Sequence, residues 1–150
     1  MVEDCVKRFK NKGGTPAKNL GEACKDVDVI ITMLPAGKDV REVYLGENGV
    51  IASTNGTPLL VDCSTIDVKT SREVAENAES AGLTMLDAPV SGGVMGAEAA
   101  TLTIMVGGSK KSFNKTKDLF GVLGKNVIHA GGSGNGQVAK MCNNMMAGIS

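Results

Sequence analysis

Val27-Asp28-Val29-Ile30-Ile31-Thr32-Met33-Leu34, closed by Pro35, is an apolar run of strand length, and Leu59-Leu60-Val61-Asp62-Cys63 repeats the pattern further along the chain. Runs that are apolar without alternation belong to strands covered on both faces, the usual state of a parallel sheet. Between the two, residues 38–44 have helical spacing, so strand, helix and strand follow in the order of a βα repeat. Working outward, residues 83–88, 102–106 and 126–130 are further strand candidates, bounded by Gly, Pro, Asp or Asn. Residues 67–81 read as a helix with N-cap candidates in Thr65-Ile66-Asp67 and a stop at Gly82. Residues 109–123 and 134–150 read as the last two helices. The expectation is an α/β chain with a mainly parallel sheet.

The final helix has two faces. Val138, Met141, Met145 and Ile149 form an apolar stripe, while Gly136, Lys140, Asn144 and Gly148 recur every four residues on another side. No breaker closes it, and Met1 opens directly into an amphipathic helix without an N-cap residue or a preceding strand. A polypeptide that continues beyond both ends is expected.

Composition narrows the function classes. Apolar residues make up 42% and charged residues 21% of the 150, which provides a core and excludes a disordered or collagen-like chain. Sixteen basic residues balance sixteen acidic ones, leaving no field to attract nucleic acid or an anionic membrane. No apolar run is long enough to span a bilayer, and the first residues resemble neither a secretory signal nor a transit peptide. Cys5, Cys24, Cys63 and Cys142 are scattered without a CxxC pair, and His129 is the only histidine, so no metal site is expected. The implied partner is a small molecule.

Three clusters carry possible chemistry. Asp87-Ala88-Pro89-Val90-Ser91-Gly92-Gly93 lies where a strand should end, and its glycines would let backbone N–H groups form a concave carboxylate site. The alternative is an ordinary Gly-rich turn. In Gly134-Asn135-Gly136-Gln137-Val138-Ala139-Lys140-Met141-Cys142-Asn143-Asn144, a helix would set Lys140 and Asn144 one turn apart on one side. An amine and an amide could then meet at one substrate hydroxyl, and a desolvated lysine can act as a general base. The alternative is a solvated lysine near a helix start. Gly134, Gly136 and Ala139 also spell the GxGxxA form of a dinucleotide fingerprint, without the acidic residue expected after it. The third cluster is a pair of strand ends, Met33-Leu34-Pro35 and Asp62-Cys63-Ser64-Thr65, where open parallel sheets bind ligands.

Taken in order, Ile30-Ile31-Thr32-Met33-Leu34-Pro35, Asp62-Cys63-Ser64-Thr65-Ile66-Asp67, Leu86-Asp87-Ala88-Pro89-Val90-Ser91-Gly92-Gly93 and the Gly134 to Asn144 segment resemble the 3-hydroxyisobutyrate dehydrogenase branch of the β-hydroxyacid dehydrogenases. The resemblance implies that residues 1–132 are a partial NAD-binding, Rossmann-like domain. Residues 133–150 would begin the interdomain helix that leads to an all-helical domain. It implies that Leu34, Pro35 and Thr65 contact the cofactor, NAD with NADP not excluded. Ser91, Gly92 and Gly93 would bind the carboxylate of a 3-hydroxy acid, Lys140 would be the catalytic base, and Asn144 would orient the substrate. The family's GxGxxG loop has no counterpart in this sequence. The chain therefore reads as an incomplete form of an enzyme of valine catabolism, inactive alone and homo-oligomeric when whole. The mitochondrial matrix is the implied compartment, with the cytoplasm as the alternative. A tartronate or succinate semialdehyde reductase of the same family, or a non-catalytic binding fragment, is the competing reading.

Overall fold

The computed structural model describes residues 3–149, without the side chain of Ile149. The expected helix opening at Met1 and helix end at Ser150 lie outside the described residues. In chain order, α1 (Glu3–Asn11) and α2 (Leu20–Ala23) precede β1 (Val29–Thr32). Next come α3 (Gly37–Leu45), α4 (Val50–Ser53), β2 (Leu59–Asp62), α5 (Val68–Ser80) and β3 (Thr84–Asp87). A two-residue β4 (Val90–Ser91), α6 (Gly93–Glu98), β5 (Leu102–Gly107), α7 (Lys110–Lys115), α8 (Lys117–Leu123), β6 (Gly124–Gly131) and α9 (Asn135–Ile149) complete the chain.

The first three strands pair in parallel, β1 with β2 and β2 with β3, each return made through helical connections. The sheet then reverses: β5 runs antiparallel to β3 and β4, and β6 runs parallel to β5. The α/β fold is as expected, and the sheet is mixed but mostly parallel. The reversal has a simple cause. Residues 92–101 hold only the six-residue α6 between β4 and β5, too little for a parallel crossover, which needs a dozen or more residues. Between β5 and β6, α7 and α8 together are long enough, and the parallel direction returns.

Alternation along β2 and β3 supplies both halves of the core. Leu60 and Met85 pack with Val40, Tyr44, Val74 and Ala78 of the crossover helices. Val61 and Leu86 face the other way onto Ile104, Val106, Phe113 and Phe120. Each such side chain, fully buried, contributes about 1.5–3 kcal/mol. Two sequence expectations change. β1 is only half-buried, with Ile31 46% exposed, because β2 is its one partner among the described strands. The single helix expected over 109–123 is two, divided at Thr116, whose hydroxyl donates to the Phe113 carbonyl at 2.8 Å and competes for the local backbone. The four-residue helices α2 and α4, the short α6 and the two-residue β4 had no periodicity long enough to read.

Candidate functional site

The ends of β1 and β2 are joined by a buried acid. Oδ1 of Asp62 accepts from the Thr32 hydroxyl at 2.8 Å and from the Ser64 hydroxyl and amide at 2.6 and 3.2 Å. The Ser64 hydroxyl in turn accepts from the Leu34 amide at 2.8 Å. The Met33-Leu34-Pro35 and Ser64-Thr65 turns therefore stand side by side at the carboxyl edge of the parallel strands. Pro35 and Thr65 are exposed there and Leu34 is half-buried. Below them the Tyr44 hydroxyl meets Thr32 at 2.9 Å, and burial raises its pKa well above the ordinary tyrosine range.

A second buried acid fixes the start of α9. Asp87 ends β3, and its two carboxylate oxygens accept from the amides of Gly134 at 2.8 Å and Gln137 at 3.0 Å. Burial pushes the carboxyl pKa up, and these backbone donors oppose the shift. The close approach requires glycine. A Cβ on Gly136 would collide with the Met105 carbonyl and stand 2.7 Å from the Asp87 carboxylate. The Gly134-x-Gly136-x-x-Ala139 turn does follow a strand and open a helix, as a dinucleotide fingerprint should. Its amides, however, are turned onto Asp87, which takes the place that a phosphate would need.

From this anchor Gly136, Gln137 and Lys140 form the buried stripe of α9, and Val138, Met141 and Met145 are 40%, 50% and 64% exposed. In the first two turns the small and polar side faces inward, held by the hydrogen bonds of the Gly134 and Gln137 amides and of the Gln137 side chain, while the apolar stripe faces out. Lys140 is 9% exposed, and burial alone lowers its pKa below the ordinary lysine value. One turn on, the Asn143 amide donates to the Ser91 hydroxyl at 3.3 Å. Asn144 is exposed beside it. Gly92 caps α6 at φ 134° and is exposed with Gly93, leaving their backbone open next to Ser91.

The residues singled out in the sequence thus fall into two linked groups. Leu34 and Thr65 share one edge and reach α9 through Ser64 and Gln137, whose side-chain amide bonds the Ser64 carbonyl and the Ile66 amide. Ser91 reaches α9 through Asn143 rather than Asn144. Asp62, Ser64, Asp87, Gln137 and Asn143 lay within the clusters quoted from the sequence but had no role assigned to them individually. The two aspartates were detectable, as acids closing otherwise apolar strands. His129 is structural: its ring bonds the Gly108 carbonyl at 2.8 Å and stacks on Phe113. Among the described residues no group of acids, cysteines and histidine could hold a metal ion. A hollow of about 880 Å³, lined by Phe9, Pro16, Leu20 and Val27 among others, touches none of these residues.

Residues 1–132 match the family described as the NAD binding domain of 6-phosphogluconate dehydrogenase. The whole chain is 52% identical to a probable mitochondrial 3-hydroxyisobutyrate dehydrogenase of Dictyostelium discoideum, over 47% of that protein. It is 42% identical over 149 residues to an NAD-dependent L-serine dehydrogenase of Pseudomonas aeruginosa, covering 99% of this chain and 50% of that one. Among solved structures, a Mycobacterium tuberculosis 3-hydroxyisobutyrate dehydrogenase with L-serine superposes with a TM-score of 0.92. It shares 41% identity with this chain, over 97% of the chain and 49% of that one. The chain spans about half the length of the curated relatives it matches.

Proposed function

This chain belongs to the family of the NAD binding domain of 6-phosphogluconate dehydrogenase, and from that premise we propose that it is the part of an NAD-dependent 3-hydroxyisobutyrate dehydrogenase that carries the nicotinamide edge, the carboxylate site and the base. The observation that carries the reading is Lys140. It is buried, its pKa is lowered by desolvation, and it lies one turn from an asparagine bonded to Ser91. A lysine so placed gives up its proton more readily than a solvated one, as a group that must serve as a base should.

The edge formed by half-buried Leu34 and exposed Pro35 and Thr65, fastened through Asp62 and Ser64, suits the nicotinamide half of NAD. The Gly134 turn does not suit its phosphates, because Asp87 occupies those amides. NAD, when bound, supplies the hydride acceptor. The chain's own residues do the rest. Ser91, Gly92 and Gly93 hold the substrate carboxylate with hydroxyl and backbone donors. Asn144 orients the hydroxyl, and Asn143 holds Ser91 in place. Lys140 Nζ takes the hydroxyl proton as the carbinol carbon gives up hydride, so 3-hydroxyisobutyrate becomes methylmalonate semialdehyde. In the reverse direction the ammonium returns the proton.

L-serine, a 3-hydroxy acid with an amine in place of the methyl group, is the second substrate reading, favoured by the Pseudomonas relative and the ligand of the Mycobacterium structure. We assign the whole enzyme to a homo-oligomer of the mitochondrial matrix; for the compartment, the support is that the Dictyostelium relative is named as mitochondrial. The test is a chimera that completes these residues with the flanking segments of that relative. It should oxidise 3-hydroxyisobutyrate with NAD, and L-serine less efficiently. Isobutanol oxidised as well as the acid would refute the carboxylate site, since a site built to bond a carboxylate rejects a substrate that leaves its donors unpaired.

A further inference from the structure

Gln137 is fully buried, and both ends of its amide are committed to one loop. Its Oε1 accepts from the Ile66 amide at 3.1 Å and its Nε2 donates to the Ser64 carbonyl at 2.8 Å. These two bonds straddle Thr65, so the backbone on either side of that residue is fastened to α9. The same Ser64 uses its hydroxyl to hold the Leu34 amide. On α9, Gln137 lies three residues before Lys140, on the same buried stripe.

Attachment of the helix does not by itself call for this side chain. The N-terminus of α9 is already fixed by Asp87 and by the close approach at Gly136, and an apolar side chain of similar volume would fill the space that Gln137 occupies. What the amide adds is direction. A donor and an acceptor fixed 0% exposed, each matched to one group of the loop, allow a single register between loop and helix. A shift of either partner would leave buried polar groups unpaired, which is costly.

We infer that Gln137 is a positioning residue that couples the Ser64-Thr65-Ile66 loop to the helix bearing Lys140, so that occupation of the cofactor edge and the placement of the base depend on each other. The inference rests on the functional reading above for the meaning of the edge and of Lys140; the coupling itself is a property of this chain. By reciprocity, whatever orders the loop also orders the second turn of α9, and the reverse. The side chain is committed at both ends to Ser64 and Ile66 and acts through these neighbours.

The experiment uses the 150-residue chain, isotopically labelled, and its Gln137→Met variant, which keeps the length but has no amide. In the variant the Ile66 amide should exchange with solvent roughly tenfold faster or more, while the core amides of Val61 and Ile104 stay within about twofold. The side-chain titration of Lys140 should move up toward the ordinary lysine value as water reaches it. Equal acceleration at Ile66 and Val61, or a Lys140 titration that does not move, would reduce Gln137 to general stability and overturn the inference. Should the variant not fold, exchange in the unaltered chain under mild urea decides: the Ile66 amide, the Gln137 side-chain amide and the Lys140 amide should open together, with one denaturant dependence. Separate openings would overturn the coupling. These readouts need no ligand. A parallel titration with nicotinamide mononucleotide, followed at the Thr65 amide, decides the cofactor-edge reading separately.

Discussion

Lys140 was visible in the sequence as a residue type at a spacing, but its burial was not. Helical periodicity grouped it with Gly136, Asn144 and Gly148, the side that a hydrophobicity pattern assigns to solvent; the structure buries Gly136 and Lys140 and leaves Asn144 and Gly148 exposed. The reason is chemical: amides of α9 bond to Asp87, and an amide side chain bonds to a loop distant in sequence. No local pattern encodes either partner. Burial gives Lys140 a stability signature with a definite sign. Its native pKa lies below the ordinary value of 10.5, so between those two values the unfolded chain binds more protons than the native one, and stability rises with pH. Below that window the cost of the buried charge is fully present. Replacing Lys140 by Met should therefore raise the urea midpoint at neutral pH, and the advantage should shrink as pH approaches 10.5. A variant of unchanged or lower midpoint at neutral pH would mean that the ammonium is solvated. Asn143 shows the converse difficulty: it adjoins the residue that the resemblance selected, and only its bond to Ser91 distinguishes the two.

At the scale of elements, the parallel half of the sheet was legible because β1, β2 and β3 end at polar turns and are separated by helices of sufficient length. The reversal at β5 was not, since it depends on the shortness of α6, which has no periodicity to detect. The glycine pattern at the start of α9 was legible as letters and misleading as chemistry: its amides are satisfied by Asp87. Two substitutions test this. Gly136→Ala should destabilise the chain by about 1–3 kcal/mol, the cost of forcing atoms into a packed site, because its Cβ would press on Met105 and Asp87. Asp87→Ala should cost about 1–3 kcal/mol through orphaned amides. Both are measured by urea denaturation. If Gly136→Ala melts like the unaltered chain, α9 does not sit on the sheet as closely as the structure places it.

The molecule as a whole combines a well-anchored C-terminal helix with several exposed apolar side chains. Met33, Val94, Met95 and Met145 are between 64% and 83% exposed, and exposed apolar surface favours association. The chain should bind a hydrophobic dye and associate with rising concentration; a monodisperse monomer with no dye binding would contradict this. NAD should bind more weakly than micromolar by calorimetry, because the sequence has no GxGxxG turn and α9 offers its amides to Asp87. Family and fold were legible because their motifs are short and ordered along the chain, whereas the Gln137 and Asn143 links join segments far apart in sequence. The proposed function depends above all on Lys140 acting as the base. It is tested most directly by the kcat of Lys140→Met in the chimera with the Dictyostelium flanking segments. A fall of about 100-fold or more with little change in NAD affinity is the predicted result, and retention of most of the kcat would contradict it.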